Sequence, residues 1–265
     1  MYKTALLSLS LGIALVSFSN APVSLIQSAQ AASPLMYTPK VDGAPTRRVG
    51  GGTRGGLQMF TPKVDGAPSR RVGGGTRGLS DSANIPTLAV IAPEHTGLTI
   101  SDQPTLYWYV SSDVDVPFRF TLTYDESEIE TGKVSLEDSI DPVLETNIAD
   151  PASGIQGIDL AKHDVSLKPD IVYRWAISMV AEGMRSNDVV TEGTIKLVNK
   201  PDNLDTELSK VDEKRSAYVY AQEGIWYDAI ESLSDLISKY PNDKQFATDR
   251  ETLLKQVGLD FSSEG

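Results

Sequence analysis

The most regular alternation of hydrophobic and polar residues lies between Ile171 and Met179. The large apolar residues at every second position are Ile171, Tyr173, Trp175, Ile177 and Met179. In an extended chain these side chains share one face of a sheet, so the pattern predicts a β-strand with one buried face. Weaker alternation predicts further short strands around Leu88 to Val90, Leu98 to Ile100, Leu106 to Val110, Val116 to Tyr124, Ile129 to Leu136, Ile155 to Leu160 and Val189 to Val198.

The turn before the central strand adds a fold signal. Leu167, Pro169 and Tyr173 have the spacing of the corner in fibronectin type III and immunoglobulin-like sandwiches, where a Tyr hydroxyl bonds to upstream backbone. Together with seven or eight short strands, this corner predicts an immunoglobulin/fibronectin III-like β-sandwich over residues 85–199. We expect Trp108, Tyr173 and Trp175 to be core anchors of this domain.

After residue 200 the hydrophobic period becomes helical. The spacing resembles one tetratricopeptide repeat, a helical hairpin, and its positions are Ala217, Tyr220, Gly224, Trp226, Ala229, Leu233, Leu236 and Pro241. Residues 200–258 are therefore predicted to form a tetratricopeptide-like helical unit with Trp226 as an anchor, followed by a disordered tail over 259–265. A single unit cannot bury its own apolar face, so it should dock on the sandwich or on another subunit, and self-association is possible.

The N-terminus has the pattern of a secretory signal peptide. Lys3 precedes an uncharged apolar run from Ala5 to Phe18, and Ala29-Gln30-Ala31 is a small-x-small cleavage site. The run is too short for a membrane anchor, which needs about 20 apolar residues. We therefore expect residues 1–31 to be removed and the mature protein to lie outside the cytoplasm, in the periplasm or at the cell surface, without a transmembrane anchor.

A direct repeat follows the signal segment. The twenty residues from Met36 to Gly55 recur from Met59 to Gly78, and only Tyr37 to Phe60 and Thr46 to Ser69 differ between the copies. Each copy is rich in Gly and Pro and has few apolar residues, so ordering it costs more entropy than burial offsets. Residues 32–84 are therefore predicted to be a disordered arm containing two copies of a 23-residue repeat.

Charge separates this arm from the rest of the chain. The net charge is −12, whereas residues 36–78 carry eight basic and two acidic side chains. Outside the cytoplasm a basic arm would meet an acidic polysaccharide or an acidic protein surface of the envelope rather than nucleic acid. The candidate partner-binding residues are Arg47, Arg48, Arg54, Arg70, Arg71 and Arg77.

Several stretches in order resemble an exported cyanobacterial family classified only as a domain of unknown function (DUF928). They are Arg-Val-Gly-Gly-Gly-Thr-Arg-Gly, then Ala92 to Thr99, Gln103 to Val110, Tyr173 to Trp175 and Tyr220 to Ala229. The resemblance covers roughly residues 70–240 and implies export to the envelope. It implies no catalytic residues, and the doubled repeat departs from the single copy expected for the family.

Candidate chemistry is sparse. The two histidines, His95 and His163, have no second ligand nearby in sequence, and the chain has no Cys. The Gly-x-Gly-x-x-Gly matches in the arm have no flanking strand and helix, so they do not indicate nucleotide binding. Acidic stretches at 125–128 and 137–141 lack the ordered ligand spacing of a Ca²⁺ loop. We predict no enzyme activity, no cofactor and no metal site.

Two function classes remain. In the first, the chain is an exported, non-enzymatic interaction or scaffold protein of the cell envelope, with the helical unit as its partner surface. In the second, it is a polysaccharide-binding module of the periplasm or cell surface in which Tyr107, Tyr109 or Tyr124 stacks on sugar rings and the arginines hold acidic sugars. Exposed rings on one sheet face would favour the polysaccharide-binding module. An exposed apolar surface on the helices would favour the interaction protein.

Overall fold

The structure is a computed structural model that describes residues 34–40, 72–73, 86–179 and 190–261. Within these ranges it contains nine strands: β1 (Val72–Gly73), β2 (Leu88–Val90), β3 (Gly97–Thr99), β4 (Thr105–Val110), β5 (Phe118–Tyr124), β6 (Leu144–Ile148), β7 (Gly154–Asp159), β8 (Val172–Met179) and β9 (Val190–Leu197). The helices in the same ranges are α1 (Glu126–Glu130), α2 (Leu204–Ser209), α3 (Ser216–Gln222), α4 (Trp226–Lys239) and α5 (Lys244–Gln256). Short 3-10 turns occupy Leu160–His163 and Glu213–Arg215. The chain is thus mainly β with an α-helical part.

The strands form two sheets. One has the order β1-β2-β4-β7 and the other the order β3-β9-β8-β5-β6. In the described part of the chain, the pairings between strands are antiparallel, apart from the parallel pairing of β3 with β9. Both sheets contribute to one hydrophobic core, which contains Trp108 of β4 and Trp175 of β8. We call β1 to β9, with the segments that connect them, the two-sheet body.

Strand β8 lies between β5 and β9, and its side chains alternate between buried and half-buried along its whole length. Tyr173 is buried, and its hydroxyl accepts a hydrogen bond of 3.0 Å from the backbone N–H of Lys168. The expected bond from the Tyr hydroxyl back to the preceding turn is therefore present. Asp170 adopts a positive φ of 61° in this turn, which lets the chain reverse before the strand.

The segment predicted as a strand from Ile129 to Leu136 is instead helix α1 followed by a turn. Asp125 caps α1, because its carboxylate accepts a hydrogen bond from the Ser127 backbone N–H. Gly132 has a positive φ of 72° just beyond the helix. Strand β6, at Leu144–Ile148, lies next to β5 at one edge of the five-stranded sheet. The alternation pattern did not indicate this strand. Local capping and turn residues therefore outweighed a weak period-two signal here.

The predicted disordered segments are ordered where the structure describes them. Residues 34–40 pack on the rest of the chain with Leu35 and Tyr37 buried, and β1 pairs with β2. At the other end Leu259 is buried, and the ring of Phe261 stacks on Tyr109 with ring centroids 4.0 Å apart. Composition did not reveal these contacts, because each segment gains its stability from apolar surface on a distant element.

Helices α2 to α5 form a second part that we call the helical unit. The inward side of α4 buries Trp226, Ala229, Leu233 and Leu236, the stripe expected from the sequence. Helix α4 contacts α3 and α5 and also strands β3 and β4, so the helical unit docks on the two-sheet body as expected. None of the helices in the described ranges is long and apolar enough to cross a membrane.

Candidate functional site

The junction between the helical unit and the two-sheet body is built around Tyr227 of α4. The Trp175 indole N–H donates a hydrogen bond of 2.9 Å to the Tyr227 hydroxyl, which donates one of 2.9 Å to the carbonyl of Thr194. Tyr227 and Trp175 are both fully buried, and burial raises the pKa of the Tyr227 phenol. The hydroxyl is therefore a neutral donor and acceptor that links α4 to strands β8 and β9.

Further polar contacts fix the orientation of α4. The indole N–H of Trp226 donates to the carbonyl of Ile91 at 3.1 Å. The Asp228 carboxylate accepts hydrogen bonds from the Thr99 hydroxyl at 2.8 Å and from the Ile100 backbone N–H at 3.2 Å. One turn later Glu231 accepts from the Thr105 hydroxyl at 2.6 Å. These bonds hold α4 in one position against the part of the two-sheet body from Ile91 to Thr105.

Beside this junction lies a groove that holds residues 35–40. We call it the segment groove, and its main contact residues are His95, Ala221, Glu223, Gly224, Trp226 and Gln256. Main-chain atoms of the segment make three hydrogen bonds to it. The Tyr37 N–H donates to the Gln256 side chain at 2.8 Å, the Gln256 amide donates to the Leu35 carbonyl at 3.0 Å, and the Thr38 N–H donates to the Ala221 carbonyl at 2.9 Å. The groove therefore binds its occupant through main-chain hydrogen bonds.

The side chain of Tyr37 fills an aromatic pocket at the centre of the groove. Its ring stacks on His95 with a centroid distance of 5.9 Å and meets Trp226 edge-on at 4.9 Å. The Tyr37 hydroxyl and the Nε2 of His95 share a hydrogen bond of 2.9 Å, and burial raises the pKa of the Tyr37 phenol. The pocket thus holds an aromatic ring between His95 and Trp226, and His95 is the hydrogen-bond partner of the hydroxyl on that ring.

At the end of the groove, the segment forms an ion pair with Glu223 and passes close to Gly224. Lys40 forms an ion pair of 2.6 Å with Glu223, and the hydrogen bonds from Lys40 and then Asn203 lower the pKa of Glu223. Gly224 has a φ of +72°, and a Cβ there would lie 2.6 Å from the Thr38 carbonyl oxygen. Only glycine allows both the turn between α3 and α4 and the close approach of the segment.

An acidic cavity lies between α4, α3 and the 3-10 turn at Glu213–Arg215. It has a volume of about 270 Å³, and its acidic lining residues are Glu213, Asp228, Glu231 and Asp235. Burial raises the pKa of Asp228 to about 6 and also raises the pKa of Glu231. Among the described residues there is no group of three or more acidic, His or Cys side chains placed to hold a metal ion. The cavity is thus an acidic pocket beside the contacts that Asp228 and Glu231 make with the two-sheet body.

The acidic stretches considered as Ca²⁺ ligands make protein contacts instead. Asp125 caps α1 and pairs with Arg174 at 2.7 Å, and Glu128 pairs with Lys133 at 3.0 Å. In the second stretch, Asp138 accepts a hydrogen bond from the Ser135 hydroxyl at 2.7 Å. These carboxylates have structural roles in turns and helix ends.

The sequence-predicted site residues fall into three groups. The arm arginines Arg47, Arg48, Arg54, Arg70, Arg71 and Arg77 lie outside the described residues. The predicted anchors Trp108, Tyr173, Trp175 and Trp226 are all buried in the hydrophobic core or its edge. Tyr107 and Tyr109 do not form a free pair of stacking rings, because Tyr107 packs towards α4 and Tyr109 is covered by Phe261. Burial beside α4 raises the pKa of Tyr107 to about 12.

Sequence reasoning missed the segment groove. Composition places Tyr37 and Lys40 in the predicted arm, and no sequence pattern gives His95, Tyr227 or Asp228 a role. A signal was present in the repeat itself, because its first residues combine an aromatic ring, Thr-Pro and Lys in an otherwise Gly-rich arm. The sequence does not show the groove, because its contact residues lie more than 50 positions along the chain from the segment that they hold.

Comparison with known proteins gives one clear result. The search of curated proteins returned no match to this chain. A family model described as Domain of Unknown Function (DUF928) matches residues 72–264, which is most of the chain and includes His95, Gly224 and Trp226 of the groove but not the docked residues 34–40. The chain therefore belongs to the DUF928 family.

Proposed function

We propose that the protein is an exported, non-enzymatic interaction or scaffold protein of the cell envelope, and that the segment groove is its peptide-binding site. The observation that supports this is the extended segment at 35–40, which is bound through its own main chain. Main-chain hydrogen bonds supply affinity in peptide recognition, and side-chain pockets supply specificity. The groove has both, since Tyr37 and Lys40 occupy its two selective positions.

The charge distribution suggests a role for the arm in the same function. The arm is basic, and the rest of the chain is acidic enough to bring the total to −12. In this proposal the six arginines hold the protein on an acidic envelope protein or polysaccharide, while the body and the helical unit supply the specific contact. Guanidinium groups suit this role because each can bind a carboxylate or phosphate through two parallel hydrogen bonds.

The finer assignments of fold and address belong to the same proposal. The Tyr173 corner supports an immunoglobulin/fibronectin III-like arrangement of the two sheets. The buried Trp226, Ala229 and Leu233 and the positive φ of Gly224 support a tetratricopeptide-like reading of α3 and α4. The apolar run and Ala29-Gln30-Ala31 support export, and the resemblance to cyanobacterial family members supports an envelope location.

The alternative, a polysaccharide-binding module, depends on Tyr107, Tyr109 or Tyr124 as exposed rings, and Tyr124 packs against Tyr173 with ring centroids 5.1 Å apart. A sugar platform needs free ring faces on the surface. Tyr109 stacks on Phe261 and Tyr107 packs beside Gly157, whose Cβ position is 2.9 Å from the Tyr107 ring. We therefore favour the interaction protein.

The test uses the chain from residue 32 onward, immobilised and exposed to an envelope fraction of its host. The matched variant carries Tyr37→Ser and, at the same position of the second repeat, Phe60→Ser, which weakens both copies of the repeat as ligands of the groove without changing the charge. A peptide of residues 33–42 is then added to elute bound protein, and the same peptide with Tyr37→Ser serves as the control eluent. If the groove binds partner segments, this double variant should retain several-fold more partner than wild type, and only the Tyr-containing peptide should release it.

Other results would contradict the proposal. Equal retention by wild type and the double variant, with no release by either peptide, would remove the groove as a partner site. A thermal melt of both chains checks that the double variant leaves the two-sheet body folded, which we expect because Tyr37 lies outside both sheets.

A further inference from the structure

The chain carries two copies of the motif that the segment groove holds. The bound copy is Met36-Tyr37-Thr38-Pro39-Lys40, and the second is Met59-Phe60-Thr61-Pro62-Lys63. We propose that the second motif is an alternative ligand of the same groove within the same chain, so that the two repeats compete for one site. This inference rests on the peptide-binding groove of the proposed function and adds its internal ligand.

Most contacts of the bound motif do not depend on which copy is present. The bonds from Gln256 and Ala221 go to main-chain atoms, which both copies offer. Lys63 matches Lys40, the partner of Glu223. Phe60 matches Tyr37, and a Phe ring can fill the same pocket against His95 and Trp226. The second motif therefore meets the main requirements of the groove.

Two contacts favour the first motif. The Tyr37 hydroxyl bonds to Nε2 of His95 at 2.9 Å, and Phe60 has no hydroxyl to replace it. Leu35 is buried at the entrance of the groove, and the corresponding residue before Met59 is the polar Gln58. On contacts alone the first copy should therefore occupy the groove, as the structure shows.

The length of the connecting chain favours the second motif. Strand β1 is paired with β2, so Val72 is fixed opposite Ala89. Between Lys40 and Val72 there are 31 residues, whereas only eight separate Lys63 from Val72. Closing a shorter loop costs less chain entropy. This difference in loop entropy partly offsets the hydroxyl and leucine contacts that the second motif lacks. The states with the first and with the second motif bound are therefore closer in free energy.

The shorter link also has to reach the groove. Ala89, opposite Val72, lies two residues before Ile91, and the Ile91 carbonyl accepts the 3.1 Å bond from the Trp226 indole. The Trp226 ring is 4.9 Å from the ring of the bound Tyr37, so Ile91 and Trp226 connect the β1–β2 pair to the aromatic pocket. Eight extended residues span about 26–29 Å. The proposal requires the second motif to occupy the groove within this length while β1 stays paired.

Exchange between the motifs would change the length of the basic arm. With the first motif bound, both sets of arginines lie between two attachment points, the groove and β1. With the second bound, Arg47, Arg48 and Arg54 precede the bound motif in the chain and no longer lie between these two attachment points. The repeat thus sets how far the arm reaches toward an acidic partner.

Cysteine crosslinking tests this in the full chain, because the natural sequence contains no Cys. One chain carries Lys40→Cys with Glu223→Cys and reports the first motif. The other carries Lys63→Cys with Glu223→Cys and reports the second. A short bis-maleimide is used, since a Lys–Glu pair spans more than a disulfide can bridge. Each chain is also made with Tyr37→Ser, and the second with Phe60→Ser as its matched control.

We expect the Lys40→Cys pair to crosslink efficiently and the Lys63→Cys pair to crosslink within one chain in a smaller fraction. Tyr37→Ser should raise the second fraction several-fold, and Phe60→Ser should abolish it. Peptide mapping by mass spectrometry identifies the linked residues, and gel mobility separates links within a chain from links between chains.

Three results would overturn the inference. Absence of the Lys63→Cys link in the Tyr37→Ser chain, with the Lys40→Cys link present, rejects the second motif and leaves the groove intact. Links only between chains assign the second motif to the groove of another copy and reject exchange within a chain. Absence of both links rejects the occupied groove itself, and with it the proposed function.

Discussion

At the scale of single residues, the Tyr227 hydroxyl is the most consequential polar group. It accepts from the Trp175 indole and donates to the Thr194 carbonyl, and both partners are buried. We predict that Tyr227→Phe lowers the free energy of unfolding by about 2–3 kcal/mol, because it leaves a buried donor and a buried acceptor without partners. Urea unfolding followed by Trp fluorescence measures this.

The matched control for Tyr227 is Tyr173→Phe. The Tyr173 hydroxyl accepts one hydrogen bond from the backbone of Lys168, a surface residue whose N–H water can reach after the substitution. We expect a loss of only about 1 kcal/mol there. An equal loss for the two variants would show that the Tyr227 hydroxyl does not join the helical unit to the two-sheet body.

Asp228 should make stability depend on pH. Burial raises its pKa in the folded protein to about 6, above the ordinary value of 3.8. Between these values the folded state binds more protons than the unfolded state, so this group makes stability fall as pH rises from about 4 to about 6. Below pH 4 the group is protonated in both states, and above pH 6 its unfavourable effect is complete.

The measurement is the difference in unfolding free energy between wild type and Asp228→Asn across this pH range. Asn keeps an acceptor for Thr99 but does not titrate, so wild type should lose stability relative to Asp228→Asn on going from pH 4 to pH 6.5. The difference also separates Asp228 from Glu231 and Asp235, whose pKa values burial raises as well. A difference that is constant with pH would contradict the burial of this carboxylate.

At the scale of elements, the turn between α3 and α4 controls the segment groove. Gly224 and Gly132 both have a φ of +72°, but a Cβ at Gly132 has nothing within 4 Å, whereas one at Gly224 meets the Thr38 carbonyl. We predict that Gly132→Ala costs about 1 kcal/mol from backbone strain alone. Gly224→Ala should cost more and should release residues 34–40.

Hydrogen exchange measures that release directly. The amide of Thr38, bonded to the Ala221 carbonyl, should lose its protection in Gly224→Ala and keep it in Gly132→Ala. Protection of Thr38 in both variants would show that the segment tolerates a side chain at the turn.

At the scale of the whole molecule, the helical unit depends on the two-sheet body. The Trp226 indole, the Tyr227 hydroxyl and the Asp228 carboxylate all find their partners on the two-sheet body. We predict that residues 200–265 alone are partly unfolded or self-associating, because these polar groups and the apolar stripe of α4 lose their cover. Circular dichroism and sedimentation test this, and a monomer that melts cooperatively would contradict it.

The opposite charges of arm and body should produce salt-sensitive binding. We predict that retention of the protein on an anionic wall fraction falls steeply as salt rises to a few hundred millimolar, because exposed charge pairs are screened. Deleting residues 36–58 removes three arginines but leaves Leu35 directly before Met59-Phe60, so a groove motif remains. This deletion should weaken retention more than proportionally. If retention changed with neither salt nor the number of repeat copies, the arm would be only a spacer.

The sequence alone determined the features that depend on local pattern. The alternation from Ile171 to Met179 predicted β8, and the Leu167-to-Tyr173 spacing predicted the bond that the Tyr173 hydroxyl makes to the turn. The helical period predicted the buried stripe of α4 from Trp226 to Leu236. These features are readable because each is set by residues within one or two turns or strands, where side-chain period follows directly from backbone geometry.

Only the tertiary structure decided where the chain's ends go and what they contact. Tyr37 is buried by His95, 58 positions away, and its backbone is held by Gln256, 219 positions away. Composition assigned both the segment at 34–40 and the end at 259–261 to disorder, because neither has enough apolar surface of its own to offset the entropy of ordering. That surface is supplied by α3, α4, α5 and β4, and a surface assembled from distant elements exists only once the chain has folded.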